Sequence, residues 1–366
     1  MVGVKWLRCG VLALAILLAG FLLLLGCRDT ERVVFRDARL EAAVRETLGI
    51  EGRPLVARDL HRLTVLVASD REIAHLDGLE ACARLTGLDL SVNHISELSP
   101  LAGLTRLERV ILRSNEIVSV EPLADLTSLR HLDLDFNSIV DVSPLRRLAK
   151  LTWLGLWNSR IADVEPLRPL TSLVELGLGG CPIEDPEPLS GLTQLRWLGL
   201  PNTGIADLSF LRDLVELEKL SLGGNRIVDL SPLRGLARLE GLGLDSNRIV
   251  DLAPLQGLSS LKRLSLWGNE IEDVSALAGL IRLEKLWLDR NPIRDVSALS
   301  GMTELRVVGL SETQVSDLSP LVGNPGLGEG DEIDLVGTPL DLSEAAAPRD
   351  AIERLVDRGA VVHCDR

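Results

Sequence analysis

The side chains in this sequence best suited to recognition chemistry are its indoles. Five of the six tryptophans lie beyond residue 27, at Trp153, Trp157, Trp197, Trp267 and Trp287. An indole offers a flat apolar face whose electron density attracts cations, and exposed clusters of such rings mark binding surfaces. Glu175 stands midway between Trp153 and Trp197, so a carboxylate accompanies two of the rings. Reactive chemistry is harder to find. The five histidines, at positions 61, 75, 94, 131 and 363, have neither metal-ligand nor catalytic spacing. The sequence contains no phosphate-binding glycine loop, dinucleotide fingerprint or nucleophile elbow. It therefore predicts no catalytic residue, no metal site and no cofactor.

Carboxylates are abundant but periodic. Glu97 is followed by Asp at 141, 163, 185, 207, 229, 251, 273, 295 and 317, spaced by 22 residues or a multiple of 22. One reading is a ladder of calcium ligands. The other places each acid just ahead of a short helix, where exposed backbone N–H groups favour a negative charge. The second is preferred, because the acid recurs regardless of its neighbours. Cys82 takes a place where other units carry Leu, and Cys181 stands in a column of Asn. They are more than four units apart, roughly 20 Å against the ~7 Å limit of a disulfide, so both are expected as buried free thiols. Cys364 falls close to the C-terminus.

The same rhythm organises the elements that must position these groups. Leu recurs at 63, 85, 107, 129, 151, 173, 195, 217, 239, 261, 283 and 305, always 22 residues apart. Counted from that leucine, positions 4 and 6 are apolar and alternate with polar or small residues, as in a strand with one buried face. Leu220 and Leu222 then point inward, and Lys219, Ser221 and Gly223 outward. Position 9 is Asn at 93, 115, 137, 225, 247, 269 and 291, where a buried amide can bond the backbone of the turn. Ser231 before Pro232 reads as the cap and first turn of a short 3-10 helix. No unit can bury its leucine face alone, so neighbours must stack.

In this frame Trp153 and Trp197 occupy outward position 3, Trp287 position 5, and Trp157 and Trp267 position 7, with Phe136 at their edge. Gly155, Gly177 and Gly199 fill column 5 beside them, and Gly179 and Gly223 flank Pro201 in column 7. The expectation is a local trough with tryptophan walls, a bare glycine floor and the Glu175 carboxylate. The bland alternative is that strand sites accept Trp and glycine fills the gaps beside it.

Composition agrees with a repetitive, leucine-packed chain: 46% of residues are hydrophobic but only 3% aromatic. That apolar content excludes disorder. The 39 basic and 53 acidic residues give a net charge of −14, which excludes a general nucleic-acid binder, since such a protein needs a basic face. Ten of the acids belong to the repeat itself.

The in-register copies resemble the leucine-rich repeat of the internalin-like, 22-residue bacterial kind. The resemblance implies an α/β fold: a leucine-rich repeat solenoid with a curved parallel β-sheet on the concave side and short 3-10 helices on the convex side. It also implies a protein or peptide ligand on the concave face. Helical caps are expected at both ends, because an exposed terminal repeat would show bare leucine. At the N-terminal end Asp37 can cap a helix carrying Leu40, Val44 and Leu48 on one face, stopped by Gly49. At the other end a helix over 348–358 is stopped by Gly359, and 360–364 can form a last strand. The expected organisation is a signal peptide at 1–27, a tether at 28–34, an N-terminal cap at 35–62, repeats at 63–340 and a C-terminal cap at 341–366.

The N-terminus reads as an address. Lys5 and Arg8 precede an apolar run from Val11 to Leu25. The run has the length of a signal-peptide core and is short of the roughly 20 residues of a membrane span. Leu24, Leu25, Gly26 and Cys27 resemble the lipobox of bacterial lipoproteins. In that family the cysteine is lipidated and becomes the new N-terminus after cleavage. Arg28, where enteric inner-membrane lipoproteins carry Asp, implies the outer membrane. The functional expectation is a non-enzymatic, lipid-anchored binding scaffold of the bacterial envelope, contacting the membrane through its anchor. Its alternatives are a glycan-binding envelope protein and an architectural component with no specific ligand.

Overall fold

A computed structural model describes residues 30–343 and 346–365. The expected signal peptide, with Cys27, lies outside the described residues. Among the described residues no helix is long and apolar enough to cross a membrane. The chain forms two compact units, one ending at Leu132 and the other beginning at Asp133.

In the first unit, Asp37 caps helix α1 (Ala38–Leu48), its Oδ1 accepting the N–H of Arg39 at 2.9 Å. Leu40, Val44 and Leu48 are buried together with Ala43, and Gly49 closes the helix in the left-handed region at φ 64. These features match the sequence reading. The other oxygen of Asp37 accepts the N–H of Ala74 at 2.8 Å, which stitches the helix to the first turn of the repeats. The cap thus covers leucines that a bare terminal repeat would expose. In the short helix α2 (Ala57–Leu60), Arg53 donates to both oxygens of Asp59 at 2.7 Å. That hydrogen-bonded guanidinium holds the Asp59 carboxyl down to about 2. Strands β1 (Val65–Val67), β2 (Gly87–Asp89) and β3 (Arg109–Ile111) then pair in parallel, each with the next.

Strand β4 (His131–Asp133) lies across the division between the units. The second unit continues with β5 (Trp153–Gly155), β6 (Glu175–Gly177), β7 (Trp197–Gly199), β8 (Lys219–Ser221) and β9 (Gly241–Gly243). β10 (Arg263–Ser265), β11 (Lys285–Trp287), β12 (Val307–Gly309), β13 (Glu332–Asp334) and β14 (Val361–His363) follow. From β5 to β14 every strand pairs in parallel with its sequence neighbour. Each strand is three residues long, with its central side chain turned inward; Leu154, Leu176, Leu198, Leu264 and Leu286 are all fully buried.

Short 3-10 helices return the chain from strand to strand, as at Ser231–Leu233. Their start differs from the expected serine cap. The side chain that caps belongs to the aspartate two residues earlier: Asp229 accepts the Ser231 N–H at 2.8 Å, and the serine hydroxyl donates to the same carboxylate at 2.7 Å. The Asp residues at 141, 163, 185, 207, 251, 273, 295 and 317 accept the equivalent N–H at 2.7–2.9 Å. A carboxylate is the stronger acceptor and reaches the N–H without bending the turn, so Asp caps and Ser supports it. The recurrent acids are therefore engaged in the scaffold.

The asparagine column ties adjacent units together. Asn225 donates to the carbonyls of Leu200 and Leu222, both at 2.8 Å, and its Oδ1 accepts the N–H of Gly204 at 2.9 Å. Asn247, Asn269 and Asn291 repeat the pattern. At the C-terminal end, helix α3 (Ser319–Gly323) replaces the 3-10 turn and helix α4 (Ala347–Asp357) packs its Ala351 and Leu355 inward. Gly359, at φ 92, turns the chain into β14.

Asn225→Ala leaves several buried backbone groups unpaired at ~1–3 kcal/mol each, so urea unfolding should show a loss of roughly 2–4 kcal/mol. A change under ~0.5 kcal/mol would mean that the ladder does not stabilise the stack.

Candidate binding surface

Because positions 4 and 6 are used inward, the outward columns 3, 5 and 7 carry whatever recognition the second unit performs. Register places Glu175 directly between Trp153 and Trp197, as the sequence predicts. Trp153, Trp157 and Trp197 are half-buried and come together on this face. They do not stand up as walls. Trp153 lies over Gly155, where an added Cβ would sit 2.7 Å from its Cη2. Trp157 lies across Gly177 and Gly179, and Trp197 across Gly199. The rings of Trp157 and Trp197 stack with centroids 6.3 Å apart and planes 20° from parallel.

The expected trough with a bare floor is therefore absent: the indoles fill it. Glycine has no Cβ, so a ring can lie flat on the strand and bury one face. An upright ring would leave both faces in water. The result is a flat apolar patch with the exposed carboxylate of Glu175 at its margin. Trp157 is further anchored through its backbone N–H, which Asp135 Oδ1 accepts at 2.8 Å.

The open depression lies one step further along the sheet. A hollow of 230 Å³ is bounded by Trp197 on one side and Trp287 on the other. Its floor is made by Gly241 and Gly243 of β9 with Ser221 and Ser265 on the adjoining strands. Lys219 and Arg263 edge it. Beneath the rim, the Ser265 hydroxyl donates to the Asp245 carboxylate, and burial pushes that carboxyl above its usual value. Sequence reading missed this hollow. Its signal was a strand with glycine at both outward positions, Gly241 and Gly243, among cations at position 3.

The remaining indole, Trp267, is 39% exposed and does not line the hollow. The five tryptophans thus separate into a flat cluster of three, one ring across the hollow and one apart. The thiols of Cys82 and Cys181 are buried and free, as expected, and burial pushes Cys82 up to about 12. A thiol so rarely ionised is a poor nucleophile.

Comparison with known proteins agrees with this architecture. Residues 105–147, 193–235 and 237–279 match the family model described as Leucine Rich repeats (2 copies). The fold is that of leucine-rich repeats. An internalin from Listeria monocytogenes, inlF, superposes with a TM-score of 0.73 at 29% identity, covering 85% of this chain and 96% of that one. A leucine-rich repeat protein from Leptospira interrogans gives a TM-score of 0.68 at 20% identity, with 82% of this chain and 83% of that chain covered. The ectodomain of the Arabidopsis thaliana receptor kinase GASSHO1/SCHENGEN3, solved in complex with Casparian strip integrity factor 2, gives 0.57 at 17% identity, covering 79% of this chain and 42% of that one. No curated protein matches the sequence.

The flat packing of the leucine-rich repeat's indoles is testable. A Cβ on Gly199 would sit 2.9 Å from both Trp157 Cζ2 and Trp197 Cη2. Gly199→Ala should displace the rings, red-shift tryptophan emission and cost about 1–3 kcal/mol of stability. An unchanged emission spectrum would show that the rings do not lie on the glycines.

Proposed function

We propose that this protein is a non-enzymatic binding scaffold of the bacterial cell envelope, held by a lipid on Cys27 and engaging a protein or peptide through the outward face of its sheet. The observation that carries the binding reading is the half-exposed indole surface of Trp153, Trp157 and Trp197 beside Glu175. A flat aromatic patch on a rigid sheet is large, apolar and already ordered, so a ligand gains area there at little entropic cost. Likeness in fold and sequence to an internalin supports a scaffold over an enzyme.

The envelope reading rests on the N-terminal pattern. Eight residue steps lead from Cys27 to Phe35, a reach of at most about 28 Å, which favours a partner in the same membrane system. Arg28 favours the outer membrane. A glycan is the second reading, favoured by one feature: indoles lying flat on a strand present the face on which the apolar side of a sugar ring stacks.

Pull-downs of the wild type and of Trp153→Ala/Trp197→Ala separate a specific binder from an architectural component. The double variant should lose captured partners, and an unchanged set would reject the indole surface as the site. Binding on a glycan array with no protein capture would favour the sugar reading. For the anchor, inhibition of lipoprotein signal peptidase by globomycin should accumulate a precursor longer by the leader. Continued production of the mature form would count against lipidation at Cys27.

A further inference from the structure

The hollow between Trp197 and Trp287 has a chemistry of its own. From β8 to β11 the outward position 3 reads Lys219, Gly241, Arg263 and Lys285, with no acid among them. All three cations are exposed, and among the described residues none takes part in a salt bridge. One column away the pattern is the opposite. There Arg196 pairs with Glu218 and Lys262 with Glu240, and at the last position of the unit Arg238 pairs with Glu216. In a chain of net charge −14, a strip of three cations outside the salt bridges runs against the average, although Glu240 lies close enough to Arg263 to feel its charge. Charges further away than the Debye length of about 8 Å are screened at physiological salt, so an approaching group responds to the strip more than to the net charge.

Shape narrows the ligand. Trp197 and Trp287 stand on strands four rungs apart, about 19 Å at the usual strand spacing. An extended chain covers that distance in about six residues. The 230 Å³ between them accommodates one or two side chains over the glycine floor of β9, with an indole at either end. Three cations are too few to hold a nucleic acid whose affinity comes from many phosphates. They suit two or three carboxylates flanking an apolar side chain.

We propose that this hollow binds an extended acidic peptide segment of a partner protein, its apolar side chain between Trp197 and Trp287 and its carboxylates on Lys219, Arg263 and Lys285. The proposal rests on the scaffold function above and specifies its ligand. It extends recognition from the indole patch beside Glu175 to the neighbouring strands, and there it requires a partner segment rich in Asp and Glu.

The experiment uses the full-length chain in detergent micelles, probed with an array of short peptides. Each carries an apolar residue flanked by acidic, neutral or basic residues, and polygalacturonate serves as a non-peptide polyanion. Acidic peptides should bind best, with affinity that falls as salt rises. Lys219→Glu/Arg263→Glu should weaken them at least about tenfold and create binding to the charge-inverted peptides. Trp287→Ala should weaken acidic peptides as well, while Val228→Ala, at an exposed side chain outside the hollow, leaves them within about twofold. Circular dichroism checks that the surface variants fold. Preference for basic or neutral peptides would overturn the acidic ligand and leave the scaffold reading standing, as would acidic binding insensitive to the charge reversal. Binding of polygalacturonate but not of peptides would overturn the peptide assignment. Binding of none of the probes, together with no partner captured in the pull-down, would overturn both.

Discussion

A three-residue strand cannot stand alone, and everything else in this protein follows from how its strands are made to stack. Each repeat turns leucines inward, and their burial is complete because the next repeat covers them. The stack is then locked by amides. In units that carry it, as at Asn225, an Asn accepts an N–H from the preceding turn and donates to carbonyls in two units, so backbone groups that would be buried unpaired are paired across the joint. Aspartates complete the set on the other side by capping the short helices from Ser143 to Ser319.

The ladder is thinnest where the outward face is most apolar. In the three units that carry Trp153 to Trp197, Asn gives way to Ser159, Cys181 and Thr203. Thr203 and Cys181 each donate to one carbonyl, at 2.9 and 3.2 Å, and Ser159 Oγ has no partner among the described residues. The same three units carry the stacked indoles across their strands. Trp157 reaches over two neighbouring strands, so packing on the outer face ties together units that the amide ladder holds with fewer bonds. Candidate binding surface and structural brace are there the same side chains.

This arrangement leaves recognition to a small set of positions. With the inward leucines, the Asn column and the capping acids all engaged, variation is tolerated in the outward columns, and there the chain changes character from strand to strand. Flat indoles with a carboxylate give way, at Trp197, to a hollow lined by serine, glycine and unpaired cations. A regular scaffold makes such a change meaningful, because the backbone beneath it does not vary.

The sequence by itself determined the period, the parallel strands, which leucines are buried, the helix capped by Asp37 and the outward placement of every tryptophan beyond residue 27. These are properties of a repeat whose inward and outward positions alternate, and alternation is written in one dimension. Three things were decided only in the tertiary structure. Asp229 rather than Ser231 caps its helix, because the carboxylate accepts the Ser231 N–H and also draws the serine hydroxyl in as a donor, so that hydroxyl supports the cap instead of forming it. Trp157 and Trp197 lie down on glycine instead of framing a trough, because the space Trp157 takes is set by Gly177, Gly179 and Gly199 in the next two units, and Trp197 stacks on its ring. The hollow at β9 opens because Gly241 and Gly243 have no large ring laid over them, whereas Gly177 and Gly199 do. A glycine looks the same in the sequence in both cases, and what fills the space above it is settled by the strand next door.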